Sequence, residues 1–190
     1  MGRAALVRTG GIRVTAYAEL CVTSNFTFLR GASHPEELVT RAAELGLAAI
    51  AITDRNSVAG VVRAFSALKE LERLREEAQA SGAAPEGPAV RSRQVTDHSS
   101  RQALRLREDG PLIPADRPLP KLIPGARLNL SDSDVEWLAL PMDVTAWSRL
   151  TRLLSLGKRR AEKGACHLTR ADLLEWGRGM VLIALPPDPL

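Results

Sequence analysis

Histidine, cysteine and aromatic side chains are scarce in this 190-residue chain. The three histidines, His34, His98 and His167, lie far apart. They read as ordinary solvated or capping side chains: His34 beside Pro35 at a helix start, His98 in a polar stretch, His167 after Cys166. The two cysteines, Cys21 and Cys166, sit in unlike contexts, which argues against a disulfide framework. They suit a reducing compartment, so the expected location is cytoplasmic. Aromatics amount to 4%, too few for a stacking platform on single-stranded nucleic acid. No apolar run approaches the roughly 18 residues that span a bilayer. The N-terminus carries Arg3, Arg8 and Arg13 but no continuous apolar region, so a signal peptide is not expected. No membrane partner is expected. Gly157, Gly164, Gly177 and Gly179 surround loops and fit neither a Walker loop nor a dinucleotide fingerprint.

What is present is a globular composition, 45% hydrophobic and 25% charged, long enough to bury one core. The net charge of +4 is compatible with nucleic acid, though modest and partly placed in the N-terminal arm.

The pattern reads as follows. Residues 1–16 form a basic leader, expected to be poorly ordered. Tyr17–Thr23 is a short strand. Ser33 caps a helix, with Glu36 completing a capping box and Pro35 in the first turn. Leu38, Val39, Ala42 and Leu45 form its apolar stripe, and Gly46 ends it. Leu47–Thr53 is a continuous apolar run, as in a strand buried on both faces. A second helix runs from about Val58 to Ala80, with Val61, Val62, Phe65, Leu68 and Leu71 at helical spacing. Strand, helix, strand, helix implies parallel βαβ units. Residues 81–118 carry Pro85, Pro88, Pro111, Pro114 and Pro118 around a polar middle, and are expected to be a largely disordered surface insertion. The β pattern resumes at Leu122–Leu130 and Val135–Leu140. Asp143–Leu156 is a helix burying Trp147, Leu150, Leu153 and Leu154. Thr169 caps a short helix through Trp176, and Met180–Leu185 is a last apolar strand.

Four blocks, in order, carry a family likeness. Leu20-Cys21-Val22-Thr23-Ser24 is followed by Phe28-Leu29-Arg30-Gly31; then come Thr53-Asp54-Arg55 with Gly60, Gly125-Ala126-Arg127, and the Gly157–Trp176 segment. Together they resemble the PHP (polymerase and histidinol phosphatase) domain at the front of bacterial alpha-type DNA polymerases, in its error-prone branch. In metal-binding members the first block reads Leu-His-x-His-Ser and then Leu-Asp-Gly, the second Thr-Asp-His, the third Gly-x-Glu. Here Cys21 and Thr23 hold the His positions, Arg30 the Asp, Arg55 the His and Arg127 the Glu, while Asp54 is retained.

The resemblance implies an α/β fold, a partial PHP-type distorted (β/α) barrel with parallel strands. Residues 17–80 would be its first part, 81–118 the insertion and 119–190 a truncated continuation ending on an unpaired strand edge. It implies an N-terminal piece of an error-prone polymerase, a nucleotidyltransferase of DNA repair and damage-induced translesion synthesis. The polymerase body would follow, with Mg bound outside this chain. Expected partners are the rest of that polypeptide, DNA through the parent enzyme, a sliding clamp and mutagenesis accessory proteins. The segment itself is expected to be structural, without catalytic residues, cofactor or metal. Three guanidiniums repel a cation cluster, because arginine stays protonated, and Cys21 lacks the further ligands zinc needs. Arg30, Arg55 and Arg127 either bind a phosphate in the former cleft or form ion pairs with Asp54 and Glu19. Lys158, Arg159, Arg160 and Lys163 are solvated surface or contacts to the DNA backbone. Two rival readings are a stand-alone PHP phosphoesterase or nuclease, and a non-catalytic DNA- or protein-binding module.

Overall fold

The computed structural model describes residues 8–9, 12–13, 16–80, 113 and 117–187. Most of the expected insertion, and His98 with it, lies outside the described residues. Within the leader, β1 (Arg8–Thr9) and β2 (Ile12–Arg13) pair antiparallel.

The first sheet is the expected βαβ arrangement. Strand β3 (Ala18–Val22) leads through helix α1 (Pro35–Leu45) to β4 (Ala49–Ile52), which lies parallel to β3. Helix α2 (Ala59–Ala80) precedes β5 (Lys121–Pro124), parallel on the other side of β4. Every residue of β4 is buried, as its unbroken apolar run requires of a central parallel strand.

The helix ends differ in detail from the sequence pattern. The N-cap of α1 is His34, not Ser33, and the carboxylate that returns to its backbone N–H is Glu37, not Glu36, at 2.8 Å. Glu36 instead meets Arg63 of α2 at 3.0 Å. Gly46 ends α1 in the left-handed conformation, φ 70°, which costs glycine little. Its core face is Pro35, Val39, Ala42 and Ala43, and Leu45 is exposed. On α2 the buried face is Val61, Ala64, Leu68 and Leu71, whereas Val62 and Phe65 point outward. Ile113, inside the stretch expected to be surface, is 2% exposed and joins this α1–β4–α2 core.

Leu122–Leu130 is not one strand. The chain breaks at Gly125, where a Cβ would lie 2.6 Å from Leu140 Cδ2 and 3.1 Å from the Ala139 carbonyl oxygen. Beyond it, β6 (Ala126–Leu128) opens a second sheet with β7 (Glu136–Pro141) and β8 (Met180–Leu185). These three pair antiparallel, so within the sheets only the first is parallel. The two sheets are stitched by a parallel bridge between Arg55 and Arg127. Arg127 N–H donates to the Asp54 carbonyl at 3.0 Å and Asn56 N–H to the Arg127 carbonyl at 2.8 Å. The segment after β4 thus continues beside β6, and β8 lies at the edge of the second sheet.

Helix α3 (Val144–Arg159) and helix α4 (Arg170–Trp176) cover that sheet. Asp143 caps α3 by accepting the Ala146 N–H at 2.7 Å, and Thr169 caps α4 with Asp172 completing the box. Leu150, Leu153 and Leu154 of α3 are buried as their spacing predicts. Gly157, expected in a loop, lies inside α3. A Cβ there would meet Leu168 Cδ2 at 2.5 Å and Cys166 Sγ at 2.7 Å, so glycine lets the returning chain lie against the helix.

Candidate functional site

The C-terminal ends of β3 and β4 and the start of β6 meet at one place, the kind of strand-end position at which α/β sheets hold ligands. Asp54 lies two residues past β4 and is fully buried. Its Oδ1 accepts the Ser24 N–H and the Thr27 hydroxyl, each at 2.8 Å, and its Oδ2 accepts the Ser24 hydroxyl at 2.8 Å. Thr27 Oγ1 in turn accepts the Arg55 N–H at 3.0 Å. Gly60, at the start of α2, is a position where any Cβ would fall 2.4 Å from Asp54 Oδ2. The retained carboxylate is therefore a buried clasp that fixes the 24–31 loop to the end of β4. Beyond that loop's core, Phe28 and Leu29 are exposed, and Leu29 has φ 63°.

The positions where the resemblance places metal ligands hold other chemistry. Cys21 of β3 and Arg127 of β6 touch, with Arg127 Nη2 2.7 Å from Cys21 Sγ. Arg127 Nη1 lies 3.4 Å from Glu136 Oε2, and Arg55 Nε lies 3.6 Å from Glu136 Oε1. Asn129 Nδ2 also reaches Glu136 Oε1 at 3.4 Å. Asn56, with φ 47°, clamps Asn129 through the Asn129 N–H at 2.9 Å. Arg30, Arg55 and Arg127 line one cleft of about 1020 Å³, together with Glu136, Asp132 and Asp134. The ion pairs expected with Asp54 and Glu19 are not the ones found: Glu136 is the carboxylate that Arg55 and Arg127 share. Asp54 is saturated by hydroxyls and N–H groups. Glu19 accepts the Tyr17 hydroxyl at 2.8 Å and the Cys21 N–H at 3.1 Å. Glu136 belongs to no family block, but a carboxylate beginning the strand that pairs with the one bearing Arg127 is a recognisable cross-strand signal.

These residues do not fit a metal centre. Among the described residues no three His, Cys, Asp or Glu side chains converge. Thr23 is partly buried, and the Arg55 and Arg127 guanidiniums line the cleft where a cation would need anionic or neutral donors.

The basic cluster is split by the structure. Lys158, Arg159 and Lys163 are exposed. Arg160 is committed to Asp172, donating to both carboxylate oxygens at 2.8 Å. Burial would raise the Asp172 carboxyl, but the Arg160 guanidinium and the Thr169 N–H and hydroxyl hold it below its ordinary value. Cys166 is pushed up by burial, against an opposing pull from Lys158. His34 Nδ1 lies 3.0 Å from Asn25 Nδ2, and His167 is exposed.

The family model of the PHP domain matches residues 19–157, and the chain belongs to the PHP domain family. It is 61% identical over 178 residues to an error-prone DNA polymerase of Ruegeria pomeroyi, and 39% identical over 179 residues to one of Caulobacter vibrioides. A Rhodopseudomonas palustris error-prone DNA polymerase is 38% identical over 176 residues. These matches cover 92–94% of this chain but only 12–15% of the relatives' length. A solved structure from Bifidobacterium adolescentis, described as a metal-dependent phosphoesterase, has a TM-score of 0.43 and 17% identity over 77% of this chain and 34% of its own. Among the described residues no helix is long and apolar enough to cross a membrane.

Proposed function

We propose that this chain works as the PHP segment of an error-prone, alpha-type DNA polymerase and contributes structure rather than metal chemistry. The observation that carries the structural role is the Arg55–Glu136–Arg127 cluster, which lines the strand-end cleft with protein charge where metal-binding members place ligands. The class of the whole protein is proposed from the extent of the match to error-prone polymerases. In this reading the parent is a nucleotidyltransferase that copies damaged DNA during repair. Its Mg ions sit on carboxylates outside these residues, because nucleotidyl transfer needs two metals on the primer end and the incoming nucleotide. The segment braces the polymerase body in the cytoplasm. A sliding clamp and mutagenesis accessory proteins are partners of the parent.

Two measurements test this. The coding DNA beyond Leu190 should continue into polymerase sequence, and that longer product should extend a primer across an abasic site. The 190-residue chain should hydrolyse neither phosphomonoesters nor DNA ends with Mn or Zn. Metal-dependent hydrolysis by the short chain would transfer the assignment to a PHP phosphoesterase.

A further inference from the structure

The stretch from Trp147 to Arg170 contains seven arginines and lysines and one carboxylate, Glu162. Set against 26 basic and 22 acidic residues in the whole chain, this leaves the remainder slightly acidic. Basic charge is thus concentrated on α3 and the turn that follows, apart from the N-terminal arm. Helix α3 has no Asp or Glu at all. Two of the seven cations are committed, Arg160 to Asp172 and Arg170 to Asp132. The described ion pairs do not include Arg149, Arg152, Lys158, Arg159 or Lys163.

Helical geometry groups these five. Leu150, Leu153, Leu154 and Gly157 form the buried face. At 3.6 residues per turn, Arg152 and Arg159 fall on the opposite face with Ser148 and Ser155, about 10 Å apart along the axis. Arg149 and Lys158 flank that stripe on either side, and exposed Lys163 follows in the turn. The result is a basic ridge about 15 Å long on α3, continued by Lys163 in the turn. Helix α2 provides the contrast within the same molecule. Its exposed cations are paired, Lys69 with Glu72 and Arg73 with Glu70 and Glu77. That is the mixed-sign surface that solubility alone requires. The helix dipole accounts for Lys158 and Arg159 in the last turn, and Arg152 lies over the Trp176 ring at 5.5 Å. Neither accounts for Arg149, for Lys163, or for the exclusion of acids from the whole helix.

We propose that the α3 ridge, Arg149, Arg152, Lys158, Arg159 and Lys163, binds the phosphodiester backbone of DNA without reading sequence. A row of cations outside the described ion pairs suits regularly spaced phosphates rather than bases. The choice of DNA among polyanions rests on the polymerase reading above. The surface chemistry does not.

The test is fluorescence anisotropy of the 190-residue chain with a labelled 20-base-pair duplex and a labelled 20-nucleotide single strand, with polyglutamate as competitor. Four to five phosphate contacts predict about 100-fold or greater loss of duplex affinity between 50 and 200 mM NaCl. The K158Q/R159Q/K163Q variant should bind at least 10-fold more weakly at 50 mM NaCl, with a visibly shallower salt dependence. As a control, R41Q/K69Q/R73Q, which removes the same number of cations from α1 and α2, should bind as the parent does. If the glutamine variant loses its circular dichroism signal, the charge-retaining K158R/R159K/K163R variant must bind like the parent. Equal weakening by both glutamine triples, or polyglutamate competing as well as DNA, would overturn the proposal. Loss of DNA binding would leave the reading-frame and primer-extension tests of the parent function untouched.

Discussion

Cys21 and Arg127 come from strands more than a hundred residues apart, yet Arg127 Nη2 lies 2.7 Å from Cys21 Sγ. Both stand where the family resemblance places metal ligands, one a former histidine position and one a former glutamate position. Their contact, with Glu136 balancing Arg127 and Arg55 on the other side, places a partly exposed charge cluster at these positions. Such a cluster fixes local geometry more than it adds net stability.

The Asp54 clasp should be among the most sensitive positions in the chain. Asp54→Ala removes the acceptor for the Ser24 N–H and for two hydroxyls in a fully buried setting. A loss of about 3 kcal/mol is expected in urea denaturation. Gly60→Ala should act through the same clasp, since its methyl group would fall on Asp54 Oδ2. A cost of about 2 kcal/mol is expected. The double variant should cost clearly less than the two added, because both act on one interaction.

Ile113 gives a separate test of the core. It is buried against the α1–β4–α2 cluster, so Ile113→Ala should cost about 3 kcal/mol. A change below about 0.5 kcal/mol would show that the residue does not belong to the folded core.

Sequence patterns exposed the local physics well and the long-range pairing poorly. The apolar run of β4, the helix that starts at Asp143 and the Thr169 cap were all legible, because each is set by neighbours in the chain. The break at Gly125 was not. Its cause is crowding by Leu140 and Ala139, which come from a strand that begins later in the chain. Antiparallel pairing of β6, β7 and β8 was likewise hidden, since apolar runs do not encode strand direction. At the site, motif comparison singled out the three arginines but not Glu136, which lies outside every family block and meets Arg127 only through the pairing of β6 with β7.

Asp172 predicts a pH dependence. Its folded carboxyl is held below its unfolded value, with burial opposed by Arg160 and Thr169. The stabilisation is therefore fully present above the unfolded value near pH 4, and is lost as pH falls through the lower folded value. Asp172→Asn should cost about 1.5 kcal/mol at pH 7. The gap between variant and parent should close progressively below about pH 4, measured as melting temperature against pH. A constant gap from pH 7 to pH 2.5 would show that the charge of Asp172 contributes nothing.

The most direct test of the arginine-filled cleft is metal stoichiometry. Protein purified without chelator, dialysed, and measured by mass spectrometry for Zn, Mn and Fe should carry well under 0.1 equivalent of each, and calorimetric titration with Zn or Mn should show no site tighter than about 100 μM, in line with the few donors at the strand ends. One or more equivalents retained through dialysis and lost in Cys21→Ala would contradict the account.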